Sequence, residues 1–230
     1  MEKYRPFLFL FFSFLFFSFC PPAFSQKNPK VIKTLRSDIL LPKPLSNKAF
    51  KSKFSGVYYV NASMNFGIKK FNIGVLGSHM QCQIFPHYQS EPHAIQTINM
   101  AGIRLGYDIF PSKEALAAQT GNFIVVSPFI IGGYNWIDYS RLQTLGRPIS
   151  GQHRQTYNIF TGINFNLMFS EYDGIGFTLG YNYLHHEFNP YPLRLDDYYS
   201  FNEKDTHGPT QYLMFGFNFY VDLRKRENAE

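Results

Sequence analysis

The sequence is short of cysteine, of charge and of long apolar runs, and each shortage closes off a class of protein. Two cysteines in 230 residues exclude a disulfide-stapled scaffold. Charged residues make up only 17%, against about 25% in an ordinary soluble domain. With aromatics at 19%, that balance also excludes intrinsic disorder, which is aromatic-poor and highly charged. Past residue 25 no uninterrupted apolar run approaches the roughly 18–20 residues of a membrane helix. What the chain does have is 26 Phe and 16 Tyr beside a single Trp. The mean hydropathy is nevertheless −0.20, so the apolar residues are interleaved with polar ones.

The first 25 residues read as a targeting segment. Lys3 and Arg5 form a basic start, Pro6 to Phe19 is an apolar core, and Pro21-Pro22 ends it. Ala23 and Ser25 then place small residues at the −3 and −1 positions before Gln26. This layout predicts a cleavable secretory signal peptide over 1–25. Phe19 precedes Cys20 where a lipid-modified cysteine follows a small residue, so a lipoprotein is not expected. Cleavage leaves Cys82 alone, with no internal disulfide to make.

Beyond Gln26 the recurring signal is alternation with period 2, over segments of about 10–17 residues. In 212–223, Leu213, Phe215, Phe217, Phe219, Val221 and Leu223 oppose Met214, Gly216, Asn218, Tyr220 and Asp222. In 157–169, Tyr157, Ile159, Ile163, Phe165, Leu167 and Phe169 oppose Asn158, Gly162, Asn164 and Asn166. In 175–183, Ile175, Phe177, Leu179, Tyr181 and Tyr183 oppose Gly176, Thr178, Gly180 and Asn182. Tyr58 to Ile68 and Ala101 to Ile109 repeat the pattern, with Asn61, Ser63 and Asn65 on one opposing face and Arg104 and Asp108 on the other segment's. Strand side chains alternate faces, so each ribbon has one greasy side and one small or amide-bearing side. Residues 71–85 start in pattern, but the apolar set changes face near Gly77, which suggests a bulge. Residues 122–139 are apolar on both faces, and their inward side is open.

A soluble sandwich also alternates, but its strands run to about 5–6 residues and its outer face carries Lys, Glu and Thr. These ribbons have the roughly 9–11 residues that cross a bilayer, and their second face is Asn, Gly, Ser and Tyr. The fold expected is all-β: a closed antiparallel up-and-down transmembrane barrel of about eight strands. Seven are evident, near 56–68, 71–85, 94–109, 122–139, 154–170, 174–187 and 209–223. The joints at Lys69-Lys70 and 171–173 are tight, whereas 86–93, 140–153 and 188–208 are longer and polar. Short joints, with 110–121 (one helical turn at most), are then periplasmic. That parity requires a further crossing, or a plug, within 27–54. The best candidate is Val31 to Leu41, with Pro42 and Pro44 interrupting the stretch just after it.

The domains expected are therefore a signal peptide over 1–25, a basic arm over 26–54, a barrel over 55–223 and a charged tail over 224–230. Residues 27–53 hold eight Lys or Arg against one Asp, while 54–230 hold 12 Lys or Arg against 14 Asp or Glu. The arm is expected in the periplasm or in the lumen, able to meet anionic headgroups or an acidic partner. An exported chain is not expected to bind nucleic acid.

The strands GVYYVNASMNFGIKKFNIGVLG and GIGFTLGYNYLHHEF and the final QYLMFGFNFYVDL resemble small outer-membrane β-barrel proteins of Gram-negative bacteria, over about 55–223. The resemblance implies residence in the outer membrane, contact with its lipid and a structural, adhesive or accessory role in the envelope. One departure is that such chains commonly end on an aromatic, whereas here Arg224 to Glu230 follow the last strand.

An eight-stranded barrel is just filled by its own side chains, which disfavours a porin. Asn61, Asn65, Asn158, Asn164, Asn182 and Asn218, with Arg104, Asp108 and Asp222, are the expected lumenal polar set. It is either a hydrogen-bonded filling or the wall of a narrow transport pore. Arg104 and Asp108 are four residues apart, about 13 Å along a strand, so each is expected to bond another strand, with Asp222 as one candidate partner. At the outer rim stand His185, His186 and Glu187, with Asp196 and Asp197 in the next loop, and His79 and His93 near the same edge. Adjacent strand residues face opposite ways, so one metal ion cannot take both His185 and His186 without a bulge; no metal or cofactor is expected. A lipid-directed hydrolase or acyltransferase would use one of these histidines with Glu187 and would need a serine beside it, which the local sequence lacks. No phosphate loop, HExxH or GxSxG is present, and no catalytic residue is assigned. Tyr181, Tyr183, Phe188, Tyr191, Tyr198 and Tyr199 are expected to form an outer aromatic girdle. The 188–208 loop is the expected meeting point for an envelope partner.

Overall fold

The computed structural model describes residues 31–84, 92–111, 122–142, 149–170 and 173–223. The signal peptide, the segment 112–121 and the tail 224–230 lie outside the described residues. The chain forms eight strands in order: β1 Val31–Pro44, β2 Ser55–Ile68, β3 Phe71–Gln83, β4 His93–Tyr107, β5 Phe123–Leu142, β6 Ile149–Met168, β7 Asp173–Glu187 and β8 Pro209–Asp222. Each pairs antiparallel with its neighbour, and β8 returns to β1, from Thr34 opposite Asp222 to Pro44 opposite Tyr212. The sheet is a closed up-and-down barrel with no free edge. Such closure is what lets a β structure stand in hydrocarbon with every backbone group paired. Among the described residues no helix is long and apolar enough to cross a membrane.

The required extra crossing is β1. The barrel therefore begins at Val31 rather than 55, and the basic arm is not a threaded plug over Val31–Pro44. Its first part is a wall strand, paired with β2 from Val31 opposite Ile68 to Leu40 opposite Tyr59. Its last part is a short helix, α1 Lys48–Lys53, at the end of the barrel where the long connections lie. Pro42 and Pro44 sit within the strand's final stretch.

Alternation sorts the side chains as the periodicity requires. Exposed on the outside are Leu35, Ile39, Met64, Phe66, Ile73, Val75, Ile103, Leu105, Ile163, Phe165, Phe177, Leu179, Phe217 and Phe219. This is a lipid-facing belt, since a soluble barrel would not leave so much contiguous apolar surface uncovered. The change of apolar face near Gly77 is not a bulge. β3 pairs without interruption from Phe71 to Gln83, and it is the lumen that changes character, from polar at the turn end to apolar at Leu76, Met80 and Cys82. The bulge of this region lies instead in β2, between Gly56 and Tyr58. For β5 the inward face is Val125, Ser127, Phe129, Ile131, Asn135, Ile137 and Tyr139.

Candidate functional site

The inside of the barrel has two layers. Toward the short turns it is a charged and amide-lined network centred on two carboxylates. Asp38 of β1 accepts from Asn61 Nδ2 of β2 at 2.7 Å and from the Thr178 hydroxyl of β7 at 2.9 Å. It also faces Arg104 Nη1 of β4 at 3.5 Å. Asn218 of β8 donates to the Thr178 hydroxyl at 3.1 Å. Asp108, just past β4, accepts from Arg36 Nη2 of β1 at 2.6 Å, the Ser127 hydroxyl of β5 at 2.7 Å and Asn72 Nδ2 of β3 at 3.2 Å. Asn166 of β6 donates to Ser127 at 3.4 Å. All eight strands are thus tied to the two carboxylates, directly or through one partner.

Both arginines also lie over rings, Arg36 4.9 Å from the Tyr220 centroid and Arg104 4.2 Å from that of Phe129. Such stacking supports a guanidinium withdrawn from water. Asn65 bonds the Ser63 hydroxyl, and Asn164 lies 3.2 Å from that of Thr178. An amide ladder runs from Asn135 through Asn158 to Asn182 across β5, β6 and β7. Asp222 is buried at the turn end. The counter-charges that Arg104 and Asp108 face are Asp38 and Arg36. Those two residues were missed because the segment 27–54 reads as a basic arm. The alternation of Thr34, Arg36 and Asp38 with Leu35, Ser37 and Ile39 is the signal that places them.

Toward the long connections the lumen is mostly apolar and roofed. Leu40, Tyr59, Met80, Cys82, Ile98, Met100, Ile131, Ile137, Phe160 and Met214 fill it. Over them lies a cap built from α1 and the segment 188–206. Phe50 and Phe54 stack at 4.5 Å, and Phe188 meets both edge-on at 5.2 Å. Asn47 fixes the helix start: its side chain accepts from the Phe50 amide at 3.1 Å and donates to the Thr206 carbonyl at 3.0 Å. Lys48 pairs with Asp205 at 3.2 Å, and Lys53 lies 3.8 Å over the Tyr199 ring. Phe188 is therefore a sealing residue of the interior rather than a girdle residue. Tyr134, Trp136, Tyr157 and Tyr181 are exposed on the outside of the barrel.

The rim residues do not converge. His185 faces outward and stacks on Tyr157 at 4.7 Å, while His186 turns inward to the Tyr139 hydroxyl at 3.0 Å. Glu187 accepts from the Gly208 amide at 3.1 Å and lies 3.8 Å from His207. Asp197 pairs with Arg194 at 3.1 Å, and Asp196 is exposed. His79 sits on the outside between Tyr58 and Asn99, at 3.0 and 2.8 Å. Among the described residues no group of three His, Cys, Asp or Glu could hold a metal ion. The hydroxyls beside the histidines, of Thr156 and Thr210, donate to the backbone carbonyls of His185 and His186 and not to a ring. Among the described residues these hydroxyls are therefore not aligned with a histidine ring as a serine-type nucleophile would be.

No protein-family model matches the chain, and no curated protein matches it. Solved structures with a similar course do exist. Neisserial surface protein A is 12% identical with a TM-score of 0.45, over 83% of this chain and 97% of that one. Ail, the attachment invasion locus protein of Yersinia pestis, solved in complex with the heparin analogue sucrose octasulfate, is 10% identical with a TM-score of 0.42, over 84% and 99%. The N-terminal β-barrel domain of Pseudomonas aeruginosa OprF is 8% identical with a TM-score of 0.38, over 84% and 100%. The closed eight-stranded sheet and apolar belt of this chain are themselves the features of an outer-membrane β-barrel.

Proposed function

We propose that the chain is a sealed, non-enzymatic outer-membrane barrel that serves the envelope as a structural and docking scaffold, presenting the cap formed by α1 and 188–206 to an envelope partner. One observation carries this reading: the lumen is obstructed at two levels, by the Arg104–Asp38 and Arg36–Asp108 pairs and by the Phe50–Phe54–Phe188 roof. A narrow pore needs a continuous polar path, and the apolar upper layer breaks one. A lipid-modifying enzyme needs a nucleophile beside a base, and the imidazoles here meet tyrosines instead. Lipid of the outer membrane meets the belt, and neither a cofactor nor a nucleic acid has a place in this role.

The test is a planar-bilayer recording of the purified full chain. A sealed scaffold gives no unitary conductance across the accessible voltage range. Reproducible steps that vanish when the protein is omitted would return the barrel to the transport class.

A further inference from the structure

Four side chains from four strands form one directed line of hydrogen bonds from the core to the rim. The Tyr212 hydroxyl of β8 donates to Gln96 Oε1 of β4 at 3.0 Å. Gln96 Nε2 donates to the Tyr139 hydroxyl of β5 at 2.6 Å, and that hydroxyl lies 3.0 Å from His186 Nε2 of β7. Tyr212, Gln96 and Tyr139 are buried. With Gln96 donating to the Tyr139 oxygen, the Tyr139 proton is free to go to His186, and the neutral ring with its proton on Nδ1 accepts it at Nε2.

The two tyrosines in this line carry the roof. Phe188 packs on Tyr139 at 5.6 Å, Phe50 meets Tyr212 edge-on at 6.1 Å, and the two phenylalanines touch each other. We infer that neutral His186 is a proton-sensitive latch: it holds α1 and the segment 188–206 down over the lumen, and its protonation lets them lift. A protonated ring presents a donor to Tyr139, whose own proton is then left without an acceptor in a buried site, which costs the closed arrangement a full desolvation penalty.

The groups that act on the ring come from several elements. Arg154 of β6 opposes its protonation and Glu187 of its own strand favours it, while Tyr139 of β5 contacts it directly. Behind Tyr139 and Tyr212, Cys82 of β3 is the remaining titratable neighbour. His207 lies 3.8 Å from Glu187. The apolar belt of β7 ends at Tyr181 and Tyr183, and His186 lies beyond it. There burial above all, with Arg154, pushes the imidazole down from 6.5 to about 4. A histidine lowered in the closed state stabilises that state fully above the open-state value and loses the contribution as pH falls. The closed-to-open ratio should drop by up to tenfold for each pH unit between about 6.5 and about 4.

The test is hydrogen–deuterium exchange on the full chain in detergent micelles, corrected for the intrinsic pH dependence of amide exchange. Exchange in 47–54 and 188–206 should rise more than tenfold between about pH 7 and pH 4, while β2 and β3 stay protected. His186→Gln supplies an acceptor that does not titrate, and its cap should stay protected at both pH values. His186→Phe supplies none, and its cap should exchange fast at both. A wild-type cap that is indifferent to pH would overturn the latch. So would a His186→Gln variant that keeps the wild-type response, which would show that the response does not pass through the His186 ring. Should His186→Phe fail to fold, the wild-type and His186→Gln comparison decides alone.

Discussion

Arg104 of β4 faces Asp38 of β1 across the lumen at 3.5 Å, and both side chains are at most 1% exposed. A guanidinium and a carboxylate so far from water are tolerable only together. Removing one leaves the other charged and buried, at a cost of about 3–5 kcal/mol. Arg104→Leu should therefore destabilise the barrel by about that amount in urea unfolding from lipid vesicles. Arg104→Leu with Asp38→Asn should recover much of the loss, because Asn61 and Thr178 still have a polar partner. A loss in the double variant equal to the sum of the Arg104→Leu and Asp38→Asn losses would show that the two charges are not coupled.

Gly56 marks the tightest point of the β1–β2 seam, where β2 carries its bulge. An added Cβ there lands on the Pro42 carbonyl oxygen, and backbone cannot step aside as a flexible side-chain tip can. Gly56→Ala should lose about 1–3 kcal/mol as the strands are forced apart. Gly132, on the outer face, offers the control, since nothing lies within 4 Å of its added Cβ. Gly132→Ala should be neutral or stabilising by about 0.4–1 kcal/mol, through a less flexible unfolded chain. Comparable losses at both positions would refute the crowding argument.

Phe217 is 62% exposed and sits midway along the outward row from Leu213 to Leu223. If that row faces hydrocarbon, Phe217→Arg should cost about 2–4 kcal/mol, and Gln211→Arg, beyond the belt, about 0–1 kcal/mol. The two are compared by urea unfolding in vesicles. The same small change at both sites would mean that water, not lipid, surrounds β8.

The barrel was legible because a period of 2 is a local property, and β2, β6, β7 and β8 each state it within a short stretch of chain. Lumenal placement of Asn61, Asn158, Asn164 and Asn218 comes from that alone. What escaped was long-range. Arg36 and Asp38 matter because β8 closes on β1, and closure brings charges 72 residues apart, Arg36 and Asp108, into contact. Nothing near Asp108 in the sequence announces Arg36. The roof was hidden for the same reason: Phe188 lies far along the chain from Phe50 and Phe54 and meets them only over the finished mouth. The apparent break at Gly77 arose because a change from polar to apolar filling looks, in one strand, like a change of face.

Which end faces outward can be read with the chain's own thiol as a silent background. Cys82 is fully buried in the upper lumen, and Cys20 lies in the segment expected to be cleaved, so the native chain should not react with a membrane-impermeant maleimide. Asp196 is exposed in the long connection and Lys70 in the two-residue β2–β3 turn at the opposite end. Outer-membrane barrels keep short turns on the periplasmic side. Asp196→Cys should therefore label on intact cells, whereas Lys70→Cys should label only after the outer membrane is permeabilised. The reverse pattern would turn the barrel over and put the cap, with Lys48, Lys51 and the His186 latch, in the periplasm. Labelling of both on intact cells would mean that the chain does not span a sealed membrane at all.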